Sequence, residues 1–223
     1  MRTKILLSAA LVAAGIAAAD AQQVYSVNAV GYVNVTLKAG YNLLNNPLNG
    51  TNNNVNTIIP TAPEGSSLYK WNGNAQAFFQ ADAYAFPLGW IDSDANPSTT
   101  TIAPGEGFFI QNPAGASTIT FVGEVPQGSL TNRIGQNYGF YGSQVPQSAT
   151  LTALGFPGAE GMNFNAWNAM AQAYAQAYSY AAGLWFDPDG NPNDPVLGVA
   201  EGFLLQNPTG QAINWTRTFS VNN

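Results

Sequence analysis

Along AMAQAYAQAYSYAAG, residues 169–183, small and large side chains alternate with a period of two. Ala169, Ala171, Ala173, Ala175, Ala177, Ser179 and Ala181 hold one parity, and Met170, Gln172, Tyr174, Gln176, Tyr178 and Tyr180 hold the other. A helix would scatter both sets around its axis, whereas a strand puts one set on each face. Period therefore predicts a strand, against a competing helix over 166–182 that summed alanine propensity favours. An earlier stretch has the same pattern, with Ala75, Ala77, Ala81, Ala83 and Ala85 opposed to Gln76, Phe78, Gln80, Asp82, Tyr84 and Phe86, and Phe79 breaking the small set. Ahead of it, Ser67–Trp71 runs into Asn72-Gly73, the preferred pair for a tight two-residue hairpin turn. Asn168-Ala169 suits that turn less well and predicts a wider loop in the later copy. Short apolar or alternating runs at 32–37, 107–111 and 117–122 are cut by Pro104-Gly105, Asn112-Pro113, Gly123 and Asn207-Pro208. Such spacing predicts an all-β chain, each module a β-sandwich or barrel.

The chain is written twice. GEGFFIQNPAG from Gly105 returns as AEGFLLQNPTG from Ala200, GWIDSDANP from Gly89 as LWFDPDGNP from Leu184, and WNGNAQAFFQADAYAF from Trp71 as WNAMAQAYAQAYSYAA from Trp167. Three ordered matches predict two tandem modules, 22–125 and 126–223, meeting near Val125–Gly128, or one domain built of two similar halves. No long linker separates them, so the halves are expected to pack closely.

Arg2 and Lys4 precede an apolar run, Ile5–Ala19, that ends in Ala19-Asp20-Ala21. This order predicts a signal peptide over 1–21, cleaved before Gln22, and hence an exported protein, secreted or held at a surface by contacts. The run falls short of the roughly 20 residues that span a bilayer, and no later stretch is apolar enough to do so. The whole chain carries a net charge of −6, and loss of residues 1–21 makes it −7, with Lys38, Lys70, Arg133 and Arg217 as the remaining cations. So few cations argue against a nucleic-acid partner. The chain has no cysteine and no histidine, which excludes disulfides, Ser-His-Asp and Cys-His nucleophiles and the usual zinc sites. The catalysis still open is chiefly glycoside cleavage by paired carboxylates, such as Asp92 with Glu106. Duplication fits a repeated binding or structural feature better than a single active site.

The strings VYSVNAVGYVNVTL, GYNLLNNPLN, APGEGFFIQNP, TFVGEVPQGSLTN, SQVPQ and the terminal RTFSVNN resemble a family of uncharacterised secreted tandem β-module proteins from Verrucomicrobia and related bacteria. That resemblance implies export and a β fold and brings no activity with it. The alanine-rich Gln/Tyr strands and the Asp-rich loops depart from the family pattern.

Three constellations carry functional expectations. Asp92, Asp94 and Asn96 in one copy, and Asp187, Asp189, Asn191 and Asp194 in the other, have a spacing that could fold oxygens around calcium, with Glu106 and Glu201 downstream; the plainer expectation is that they make turns. Trp71, Gln76, Phe78, Gln80 and Tyr84, with Trp167, Gln172, Tyr174, Gln176, Tyr178 and Tyr180, form rows of rings and amides. Facing outward they would stack on sugars or meet another copy; facing inward they would fill a core. The strings Tyr25–Asn28 and Phe219–Asn222 could exchange between copies by strand addition. The leading expectation is a secreted, non-catalytic structural protein of the cell surface or matrix acting by self-association, with polysaccharide binding as the alternative and glycoside hydrolysis third.

Overall fold

A computed structural model of the chain describes residues 29–221. The signal-peptide expectation and the string Tyr25–Asn28 lie outside the described residues. The fold is all-β, with one short helix among the described residues, and its two halves have matching sheets. In the first half, β1 (Val30–Leu37) pairs with β8 (Ser117–Glu124) as a two-stranded ribbon. A six-stranded sheet runs in the order β2 (Gly40–Asn45), β7 (Gly107–Asn112), β3 (Ser67–Asn72), β5 (Asp82–Ala85), β6 (Gly89–Ile91), with β4 (Ala77–Phe78) added to β3. Helix α1 (Val55–Ile58), capped by the Asn54 side chain accepting from Asn56 N–H, lies between β2 and β3.

The second half repeats this plan. Strand β9 (Gly128–Ile134) pairs with β18 (Ile213–Phe219), and the sheet runs β10 (Asn137–Tyr141), β17 (Phe203–Asn207), β12 (Asn163–Asn168), β14 (Tyr178–Ala181), β15 (Leu184–Phe186), with β13 (Ala173–Tyr174) added to β12. Here β11 (Ala149–Thr150) pairs with β16 (Val196–Leu197), where the first half has a single bridge, Asn54 to Thr101.

Each sheet has two apolar faces with different duties. In β7, Phe108 and Ile110 point into the first core with Leu37, Leu68 and Phe121, while Phe109 points the other way. In β17, Phe203 and Leu205 enter the second core with Ile134, Phe164 and Trp215, and Leu204 points away. The outward residues meet: Leu43, Phe109 and Phe140 form a buried cluster between the halves, flanked by Tyr69, Trp71, Trp167 and Leu204. A strand buried on both faces reads as a continuous apolar run, which is why GFFI lacks alternation. The sheets are also stitched at their edges by the reciprocal bridges Leu44 to Glu201 and Glu106 to Tyr141.

The alanine stretch is strand rather than helix, but it is not one strand. Trp71 pairs with Phe78 and Leu68 with Asp82, so one extra residue enters between β4 and β5. Trp167 pairs with Tyr174 and Phe164 with Tyr178, the same slip in the second copy. A one-residue bulge moves every later side chain to the opposite face. Phe78 therefore lies on the outer face with Trp71, whereas Tyr84, of the same parity, is buried beside Trp90 in the first core. The turn also differs from expectation. Asn72 pairs with Ala77, leaving Gly73–Gln76 as a four-residue turn, and Asn168 pairs with Ala173 in the same way. Each asparagine precedes its turn, and its side-chain oxygen accepts from Asn74 and Ala75 N–H in one copy and from Met170 and Ala171 N–H in the other. Both turns are equally wide because this Asn cap, rather than an Asn-Gly pair, defines them.

Two glycines allow the halves to approach. A Cβ on Gly107 would lie 2.7 Å from Phe140 C and 2.8 Å from Tyr141 N; one on Gly202 would lie 2.5 Å from Leu44 O. Gly107→Ala must push main chain apart at the seam, and it is expected to lower unfolding free energy by about 1–3 kcal/mol, read from the urea midpoint. An unchanged midpoint would show that the halves do not approach at this point.

Candidate functional site

The turns after β3 and β12 carry the side chains that join the halves. Gln76 and Gln172 occupy the last turn position with φ of 51° and 53°, a left-handed conformation uncommon for residues other than Gly, Asn and Asp. Held this way, each amide reaches the opposite half. Tyr138 N–H donates to Gln76 Oε1 (3.0 Å) and Gln76 Nε2 donates to Tyr138 O (2.9 Å). Tyr41 N–H donates to Gln172 Oε1 (2.6 Å) and Gln172 Nε2 donates to Tyr41 O (3.0 Å). One side-chain amide thus exchanges both bonds with one residue, as a neighbouring strand would. Trp71 Nε1–H adds a bond to Tyr138 O (3.1 Å) and Trp167 Nε1–H one to Tyr41 O (2.8 Å).

Beside these bonds the seam opens into a cleft of about 310 Å³ lined by Tyr41, Tyr69, Phe78, Phe109, Trp167 and Tyr174. All six are aromatic and none is charged. Phe109 forms the buried floor, 4 % exposed, and its ring meets Trp167 edge-on at 5.1 Å. Tyr41 (39 %), Phe78 (42 %) and Tyr174 (39 %) keep open faces. Tyr69 and Tyr41 sit with ring centroids 5.7 Å apart. Burial raises the Tyr69 phenol above its ordinary value, and the hydrogen bond and charge of Tyr41 add to the rise. Burial alone pushes Tyr174 up to about 12. Both phenols are therefore neutral hydrogen-bonding groups at any ordinary pH.

The predicted row residues divide among three places. Trp71, Gln76, Phe78, Trp167, Gln172 and Tyr174 lie at the seam. Tyr84 packs on Trp90, Tyr178 on Phe164 and Tyr180 on Trp185, all against the module cores. Gln80 and Gln176 are exposed in the bulged links between β4 and β5 and between β13 and β14. Tyr41, Tyr69 and Phe109 belong to the cleft and fell outside the predicted rows. For Tyr69 and Phe109 the signal was parity: in SLYKW and GFFIQ they alternate with Leu68, Phe108 and Ile110, which fill the module core.

The Asp-rich loops are turns organised by their first residue. Asp92 accepts from Asp94 and Asn96 N–H, and Asp187 from Asp189 and Asn191 N–H, each at 2.9–3.0 Å. The bond from Asn191 N–H is the leading cause of a lowered Asp187 pKa. Asp194 is turned away to accept from Thr152 N–H. Glu106 pairs with Lys70 at 3.1 Å and accepts from Ala103 N–H, and Glu201 accepts from Gly198 N–H. Among the described residues, no three of Asp, Glu, His and Cys come together as a ligand set. No helix among them is long and apolar enough to cross a membrane.

Comparison with protein-family models, curated proteins and solved structures gives no match, so the cleft is interpreted from its own geometry.

The Tyr174 shift is checked by alkaline titration followed at the phenolate absorbance. Unfolded Tyr ionises near 10 and folded Tyr174 near 12, so its contribution to stability is whole below pH 10 and is lost as pH rises towards 12. Tyr174→Phe is expected to remove one late-titrating phenol; a titration curve whose late part survives the change would place that phenol elsewhere.

Proposed function

We propose that the protein is an exported, non-catalytic polysaccharide-binding protein of the bacterial surface or matrix, taking a neutral sugar chain in the aromatic cleft at the seam. The observation that carries this is the cleft's composition: three tyrosines, a phenylalanine and a tryptophan around a buried Phe109, with no charge. Sugar rings present flat C–H faces that stack on such rings, and hydroxyls that Tyr41, Tyr69 and Tyr174 can meet with their own. A charged ligand would find no counter-ion there. The lack of a carboxylate in the lining supports binding without hydrolysis, which needs two of them across the bond.

Self-association through the Tyr and Gln rows is the weaker reading. Gln76, Gln172, Trp71 and Trp167 already spend their polar atoms within the chain. The predicted export and the resemblance to secreted β-module proteins fit a glycan-facing role.

The test is affinity electrophoresis through gels holding neutral glucans, xylans or mannans. The protein should be retarded by at least one. Phe78→Ala and Tyr69→Ala, each confirmed folded by circular dichroism, should weaken that retardation roughly tenfold, about 1.4 kcal/mol. Migration unaffected by every neutral polysaccharide, or retardation of both variants equal to that of the native protein, would overturn the proposal.

A further inference from the structure

Because the halves are copies, every surface residue has a counterpart against which divergence can be measured. Register fixes the equivalences. Leu37 pairs with Ser117, the first residue of β8, and Ile134 pairs with Ile213, the first of β18, so Arg133 stands where the first half has Thr36. Gly40 and Asn137 both take positive φ at the start of β2 and β10, which aligns Gln136 with Ala39.

On one side of the seam, the turn after β3 overhangs β10 and the β9–β10 connection. Two adjoining cavities of about 460 and 410 Å³ lie there and share Gly73, Arg133 and Tyr141. Their walls bring Asn74, Gln136 and Gln144 around Arg133. At the equivalent positions the other half has Met170, Ala39, Pro47 and Thr36. Duplication alone would have left both sides alike; instead this side carries three amides and a guanidinium at positions where the other has none, while the other side's cation is Lys38, at the position of Gly135. Neither cavity belongs to the aromatic cleft, with which they share no lining residue.

The electrostatics of this groove are unbalanced. The Arg133 side chain is exposed, and among the described residues no ion pair or hydrogen bond engages its guanidinium, while its main chain lies in the β9–β18 ladder. The carboxylate in the wall, Glu106, is already held by Lys70 at 3.1 Å. In a chain of net charge −6, a free guanidinium among amides marks a place where an anion is met locally although the molecule as a whole repels it. A lone cation does not make a phosphate-tracking surface, which needs several. Open amide walls suit a chain of hydroxyls with a carboxylate at one point.

We infer that the groove beneath the Gly73–Gln76 turn is a second binding site, for an acidic saccharide, in which Arg133 pairs with a uronate carboxylate and Asn74, Gln136 and Gln144 meet its hydroxyls. This goes beyond the aromatic-cleft proposal and does not depend on it.

Calorimetric titration of the whole protein with an oligogalacturonate tests it, with the carboxyl-reduced oligomer as the neutral control. Arg133→Thr, which installs the counterpart residue at an exposed position, and Arg133→Gln should each weaken oligogalacturonate binding about tenfold, the scale of one charge-assisted bidentate pair. Raising salt from about 0.1 to 1 M should weaken it as well, because the pair is solvent-accessible. The reduced oligomer should bind the native protein no better than the acid binds Arg133→Thr. Absence of native binding, affinity of both Arg133 variants equal to that of the native protein with unchanged unfolding midpoints, or binding of the reduced oligomer by the native protein as tight as that of the acid would each overturn the inference. Failure of the cleft proposal registers separately, with neutral polysaccharides and the Phe78 and Tyr69 variants.

Discussion

The outer face of each six-stranded sheet carries apolar side chains that must be covered, and the same face of the other copy covers them. Leu43, Phe109 and Phe140 are buried by that contact. Everything else at the seam follows from it: glycines where main chains approach, indoles and amides that satisfy the strand edges, and a cleft where the rings do not quite close. Neither the cleft nor the polar groove belongs to one module. Both arise because two modules dock.

The contact is an isologous interface within a single chain. Trp71 and Gln76 cap Tyr138, and their counterparts Trp167 and Gln172 cap Tyr41. The symmetry is broken where it would otherwise clash. Asn45 and Gly142 are equivalent residues that meet across the seam, and a side chain on Gly142 would overlap that of Asn45. A pair of identical modules could not place Asn at both positions. Fusion into one chain allowed the copies to diverge, and the divergence reaches the cleft: its Tyr69 and Phe109 correspond to Asn165 and Leu204.

Much of the architecture was legible in the sequence because its signals are local. The period of two along Ala169–Ala181 identified strand against alanine's helical preference, and the recurring strings identified two modules. The two-residue Asn-Gly turn was misjudged because Asn72 serves as a cap rather than as a turn residue. The rows of large side chains were misjudged for a different reason. Parity assigns faces only while register holds, and the bulge after Phe78 and after Tyr174 reverses it. The outer part of each row therefore faces the seam while Tyr84, Tyr178 and Tyr180 face the cores. The cleft was illegible as a unit because its residues come from both copies, and its completing members, Tyr41, Tyr69 and Phe109, lie on strands whose apolar runs read equally well as core.

If the seam is what covers both sheets, the halves cannot unfold independently without exposing Phe109 and Phe140 to water. Differential scanning calorimetry of the protein tests this most directly. A single transition whose calorimetric enthalpy equals its van't Hoff enthalpy is the result expected. Two resolved transitions, or a calorimetric enthalpy about twice the van't Hoff value, would mean that the modules fold as independent units and that the seam does not hold them together.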